Sequence, residues 1–133
     1  MNDVYPHVIA KNQEEVVGYA LVMTKDFRND IPVLISMFEM IDKLIYERKP
    51  LAGENYFVMG QICIAKEFRG LGIFDGLYMK LKQLLASSFS FCLTEVALRN
   101  TRSIKAHERV GFNKIKEYKD SRGEKWETML WKW

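Results

Sequence analysis

The chain has 133 residues, 48% of them hydrophobic and 28% charged, which is enough apolar mass for one packed core and excludes a disordered chain. Its 20 Lys and Arg against 17 Asp and Glu leave a formal net charge of +3, too weak to point to nucleic acid. No apolar run approaches the roughly 20 residues that span a bilayer, Met1-Asn-Asp is no signal-peptide start, and Cys63 and Cys92 are too few for a disulfide framework. The expectation is one soluble, cytoplasmic domain over residues 1–133, with no nucleic acid and no membrane among its partners.

In chain order, His7-Val-Ile-Ala and Val16 to Met23 flank a polar stretch from Lys11 to Glu15, the pattern of a β-hairpin. Thr24 to Asp30 reads as a turn. Ile31, Leu34, Ile35, Phe38, Ile41, Leu44 and Ile45 then recur at helical spacing. Asp30 suits the cap of that helix and Pro32 its first turn, and Lys49 to Gly53 should end it. Tyr56 to Ala65 is apolar nearly throughout, as a central strand would be. After the loop Lys66 to Gly72, a helix carries Ile73, Phe74, Leu77, Leu81, Leu84 and Leu85 on one face. Phe91 to Leu98 reads as a strand and Asn100 to Val110 as a short helix, with Gly111 placed for a left-handed C-terminal residue. Two strands, Phe112 to Tyr118 and Trp126 to Trp133, close the chain around Ser121-Arg-Gly123. The order ββαβαβαββ implies a mixed α/β fold with at least one parallel crossover.

The most informative segment runs from Ile62 to Phe74. A buried strand ends, Gly70 and Gly72 follow, and an amphipathic helix starts at once. The unpaired N–H groups and positive dipole end of a helix N-terminus attract anions. Glycines let a phosphate approach the backbone, and Arg69 adds a planar donor fork. This describes a pyrophosphate cradle. The alternative is a strand–helix turn whose glycines only permit tight packing. A Walker A loop is absent, and in a G-x-G-x-x-G reading from Gly70 the last glycine falls on Asp75, whose carboxylate would repel phosphate.

Arg69-Gly-Leu-Gly-Ile-Phe74 resembles the [QR]-x-x-G-x-[GA] signature of the GNAT superfamily of N-acetyltransferases, and Ile64 to Ile73 resembles its V-x-P-x-Y-R-G-x-G-I stretch. Asn100 to Phe112 is similar to the family's N-x-x-[AS]-x-x-x-Y-E-[KR]-x-G-F. The resemblance covers residues 5 to 133 and implies a mixed, mostly antiparallel sheet with flanking helices and one parallel, splayed strand pair. It implies acetyl-CoA as cosubstrate, its pyrophosphate on Arg69, Gly70, Leu71, Gly72, Ile73 and Phe74, mostly through backbone N–H. Ile62 and Ile64 would meet the pantetheine amides through their backbone, and Asn100 and Ser103 would lie near the cofactor arm. Phe74 replaces the family's Gly or Ala, so its ring must turn from the phosphates or narrow the channel. Lys66 replaces a frequent proline.

The implied reaction moves an acetyl group from the thioester to an amine. Such an amine is mostly protonated at neutral pH, so a base must take its proton. Glu95 is the expected base. Leu93-Thr-Glu-Val-Ala-Leu-Arg-Asn100 is similar to the L-E-V-R-x-S-N of the family's ribosomal-protein acetyltransferases, with one Thr inserted, and burial would raise the carboxyl pKa. The bland reading is a surface Glu on the alternate strand face. His107 stands where the family has a tyrosine that protonates the departing thiolate, and a histidine can donate a proton too; otherwise it simply packs beside Ile104 and Val110. Cys63 lies beside the expected thioester gap without a base, and buried cysteines are mostly inert. Two scattered histidines and two cysteines build no metal site.

The strand around His7 resembles the family's second strand, so the opening strand and two helices, which shape the acceptor pocket, are expected to be missing. The helix at about 31–46, with Met37, Phe38 and Met40 in its stripe, is then an insertion. It either packs on the sheet or lines an acceptor pocket or dimer surface, and an exposed sheet face would favour a homodimer. Two functions remain open: an N-acetyltransferase acting on a small-molecule or protein amine, and an acetyl-CoA-binding module with little or no turnover. A nucleotide-binding protein is a distant third, and the acceptor is not legible.

Overall fold

The structure, a computed structural model, describes residues 8–23, 32–120 and 122–133. The expectations for His7, for the turn at 24–30 with its capping Asp30, for Ile31 and for Ser121 lie outside the described residues. Strands β1 (Val8–Asn12) and β2 (Glu15–Met23) form the expected hairpin. Asn12 pairs with Glu15, so the turn is only Gln13 and Glu14 and the strands extend into the polar stretch.

Helix α1 (Pro32–Asp42) is shorter than its apolar spacing suggests. Lys43 and Leu44 donate to the carbonyls of Met40 and Ile41, tightening the last turn, and Ile45 is 70% exposed, outside the apolar stripe. The chain instead folds into a small hairpin, β3 (Ile45–Tyr46) and β4 (Lys49–Pro50), around Glu47 and Arg48, both at positive φ. Lys132 grips Glu47 at 2.7 Å and ties this turn to the end of the chain. Leu51–Gly53 forms a single 3-10 turn with Leu51 fully buried.

The rest follows the expected order. Strand β5 (Tyr56–Ile64) leads through a 3-10 turn (Lys66–Phe68) to helix α2 (Ile73–Leu85). Strand β6 (Phe91–Ala97), helix α3 (Thr101–Val110) and strands β7 (Asn113–Lys119) and β8 (Lys125–Lys132) complete it. Six strands form one sheet in the order β1-β2-β5-β6-β8-β7. Every neighbouring pair is antiparallel except β5 and β6. The fold is thus mixed α+β, mostly antiparallel, with one parallel pair, as expected.

Each face of the sheet has its own core. Leu77, Tyr78, Leu81 and Leu85 of α2 and Ile104 of α3 pack with Phe57, Cys92, Met129 and Trp131 on one face. On the other, Met37, Phe38 and Ile41 of α1 pack with Tyr56, Val58, Leu93 and Leu130. Each such side chain contributes about 1.5–3 kcal/mol on burial. The α1 stripe is therefore engaged in packing on the sheet. Gly111 ends α3 at φ +134°, where a Cβ would meet Trp131 Nε1 at 2.8 Å, so conformation and space both require glycine.

Candidate functional site

The β5–β6 pair is joined only at its start. Tyr56, Phe57 and Val58 pair with Phe91, Cys92 and Leu93, and there the register ends. Thr94 Oγ1 donates to the Met59 carbonyl at 3.4 Å where the strands part. Beyond this point no strand among the described residues pairs with β5 on that side, and its apolar Ile62 and Ile64 are half-buried while Cys63 is exposed. The pair is splayed, and its gap is bounded by two adjoining cavities.

The larger, about 690 Å³, lies over the N-terminus of α2. Ile62, Ile64, Arg69, Gly70, Gly72, Ile73, Phe74, Asn100 and Ser103 all line it. Leu71 does not, and its side chain is 68% exposed. Gly70 and Gly72 adopt φ +80° and +83°, and a Cβ on either would meet nothing within 4 Å. The glycines are thus required by the left-handed backbone, and the space above them is open to a ligand. Gly72 precedes the first turn of α2, where its carbonyl accepts from Gly76 N–H, and the N–H groups of the helix start have no acceptor within the helix. Arg69 Nε donates to the Ile64 carbonyl at 3.2 Å, which fixes the loop against β5. The Asp75 carboxylate accepts a two-pronged contact from Arg109 at 2.8 and 3.2 Å, so its charge is met on the spot. The open glycine backbone, helix N-terminus and surrounding Arg and Lys side chains fit a diphosphate.

The smaller cavity, about 310 Å³, occupies the gap itself and is lined by Met59, Gly60, Thr94, Glu95, Val96, Ala97, His107 and Trp126 among others. Ile62, Asn100 and Ser103 border both cavities, which therefore adjoin. Asn100 caps α3 by accepting the Ser103 N–H at 3.1 Å. It therefore stands where the two cavities meet.

Glu95 faces the side of the sheet that α1 covers, beyond the reach of α1 itself, since Phe91 and Leu93 precede it on that face. Burial pushes its pKa up to about 7, aided by the nearby Asp120 charge and opposed by a hydrogen bond that Tyr118 donates to it. Asp120 is held below its usual pKa chiefly by the Trp126 indole, which donates at 3.0 Å, and by the N–H groups of Arg122 and Glu124. Neither Tyr118 nor Asp120 was singled out by sequence reasoning. The ladder brings them in: Ala97, Trp126 and Tyr118 are paired across β6, β8 and β7. A bulge between Lys114 and Lys116 shifts the alternation of β7, so simple period-two counting hides which face Tyr118 takes.

His107 is buried, 2% exposed. Its Nδ1 lies 2.8 Å from the Ser103 carbonyl, which can only accept, so Nδ1 carries the hydrogen. Nε2 then accepts from the Tyr78 hydroxyl at 2.7 Å. Burial holds its pKa below the ordinary histidine value. In this neutral form both nitrogens are engaged and none offers a proton to a thiolate. Phe74 turns its ring edge-on to Tyr78 and His107, with centroids 5.2 and 5.0 Å away. The aromatic residue at the place of the family's Gly or Ala thus packs into this cluster while still bordering the cleft. Cys63, expected to be buried, is exposed, and Cys92 is buried. No group of three or more His, Cys, Asp or Glu side chains that could hold a metal occurs among the described residues, and no helix among them is long and apolar enough to cross a membrane.

Comparison with known proteins agrees with this fold. The model of the acetyltransferase (GNAT) family matches residues 2–112. No curated protein matches in sequence. Similar solved structures include the ribosomal-protein-S18-alanine N-acetyltransferase of Escherichia coli, 14% identical with TM-score 0.62, covering 96% of this chain and 68% of that one. The ribosomal-protein-alanine N-acetyltransferase of Brucella melitensis is 17% identical with TM-score 0.69, covering 99% and 71%. The protein yncA of Salmonella typhimurium, solved with its cofactor acetyl-CoA, is 14% identical with TM-score 0.66, covering 98% and 67%.

Proposed function

The chain belongs to the GNAT acetyltransferase family, and from that premise we propose that it transfers the acetyl group of acetyl-CoA directly to a primary amine of a small molecule or protein. The observation that carries this reading is the pair of adjoining cavities, one over the glycine cradle and one lined by Glu95, that share Ile62, Asn100 and Ser103. The diphosphate rests on the helix start at Gly70 to Phe74, with Arg69 beside it. The pantetheine arm follows the backbone of β5 at Ile62 and Ile64, where the partner strand has departed, with Asn100 and Ser103 along its path.

Glu95 is the base. With a pKa of about 7 it is half ionised at neutral pH yet basic enough to take a proton from an ammonium, directly or through a water. The freed amine attacks the thioester carbonyl; the C–N bond forms, the C–S bond breaks, and CoA leaves as a thiolate that takes up the second proton shed by the nitrogen, while Glu95 returns the first to solvent. His107 contributes as a positioning group that fixes Tyr78 and the floor of the gap.

A second reading, an acetyl-CoA-binding module with weak turnover, is favoured by the engagement of both His107 nitrogens. One assay separates the two. The chain is titrated with acetyl-CoA and then offered a panel of amines while free thiol is measured. Saturable binding with amine-dependent thiol release supports the acetyltransferase; binding without release by any amine supports the module. No binding refutes both.

A further inference from the structure

The inference here rests on the acetyl-CoA reading above. One wall of the larger cleft is the start of α2; the facing wall is one side of α3. On that side Arg102, Lys105 and Arg109 recur at i, i+3 and i+7 and share a face. All three line the cleft. Arg109 is committed to Asp75. Arg102 and Lys105 are exposed, and no hydrogen bond or salt bridge engages either among the described residues. Two like charges one turn apart repel each other, and an anion in the cleft would relieve that repulsion.

The cradle across the cleft supplies backbone N–H groups and Arg69, which suffice for a diphosphate. We propose that Arg102 and Lys105 form a separate phosphomonoester subsite that takes the ribose 3′-phosphate of acetyl-CoA and so distinguishes CoA from dephospho-CoA. A phosphomonoester carries about −1.5 to −2 charge at pH 7, with its second pKa near 6. It is the most concentrated negative charge on the ligand and the one that a pair of free cations selects best. The selection acts on binding and leaves the chemistry at Glu95 untouched.

The test is calorimetric titration of the full chain with CoA and with dephospho-CoA, for the wild type and for the Arg102→Ala/Lys105→Ala variant. Both side chains are exposed and alanine favours a helix, so the variant should fold; its melting curve checks this. The wild type is expected to prefer CoA by about tenfold at low salt, with the preference shrinking as salt is raised. The variant should bind both ligands alike, at the wild-type affinity for dephospho-CoA. Equal binding of the two by the wild type would overturn the subsite, as would a preference that survives in the variant. Absence of binding by either ligand would instead overturn the acetyl-CoA reading, and the subsite with it.

Discussion

The two adjoining cavities are built in different ways. The proposed cofactor end is assembled from neighbours in sequence: the end of β5, two left-handed glycines and the start of α2 lie within the 13 residues from Ile62 to Phe74. The acceptor end is assembled from strands far apart in the chain, with Glu95 on β6, Tyr118 on β7 and Trp126 on β8, brought together by sheet register alone. A site made by backbone conformation withstands the loss of most side chains. A site made by a few converging polar groups depends on each of them.

This contrast can be broken most sharply at Glu95. Glu95→Gln removes the proposed base and leaves the shape, so turnover should fall about 100-fold or more, while acetyl-CoA affinity stays at the wild-type level by titration. A matching loss of affinity would show that the two ends are not separate.

His107 lies between the ends. His107→Phe leaves the buried Tyr78 hydroxyl without its His107 acceptor, and the cost is about 1–3 kcal/mol, read by denaturant or thermal unfolding at pH 7. The sign of the pH effect follows from the lowered folded pKa. Below about pH 6.5 the unfolded chain takes up the proton before the folded one, so the stability that neutral His107 provides is present above that pH and lost as pH falls through the folded value. His107→Phe should therefore flatten the acid side of the stability curve. An unchanged alkaline limb in its rate profile would confirm that His107 is not the proton donor.

At the cofactor end, Gly72→Ala meets open space, so only the φ of +83° resists it. That strain of about 1–2 kcal/mol should lower acetyl-CoA affinity about tenfold in the same titration and leave the pH profile of turnover where it was. A smaller effect belongs to Tyr118→Phe. The hydroxyl stabilises the ionised form of Glu95, so its loss moves the acid limb of the rate profile upward. A shift of about one unit leaves roughly one-tenth of Glu95 ionised at pH 7, a loss of about fivefold that should vanish near pH 9. A uniform loss at all pH values would assign Tyr118 to packing alone.

The same contrast explains what the sequence made legible. The glycine loop and the Gly111 terminator are local, because each follows from what one or two turns of backbone demand. The alternation of strands and helices implied a mixed fold with at least one parallel crossover, and the family resemblance implied the single parallel, splayed pair. The order of strands across the sheet was not read from the sequence. The length of α1 was not legible either, because Leu44 and Ile45 continue the helical spacing while the chain has already turned into the β3–β4 hairpin. Tyr118 and Asp120 were invisible because their role depends on register across three strands and on the β7 bulge. The state of His107 was hidden as well. Which nitrogen holds the proton is decided by Ser103 and Tyr78, and the latter lies 29 positions away.

The most direct test of the acceptor end is the pH dependence of amine-driven thiol release by the wild-type protein under saturating acetyl-CoA. A base buried in the strand gap predicts an acid limb with its midpoint near pH 7, the raised pKa of Glu95. A midpoint near 4.3, that of an ordinary glutamate, or a flat profile would contradict it.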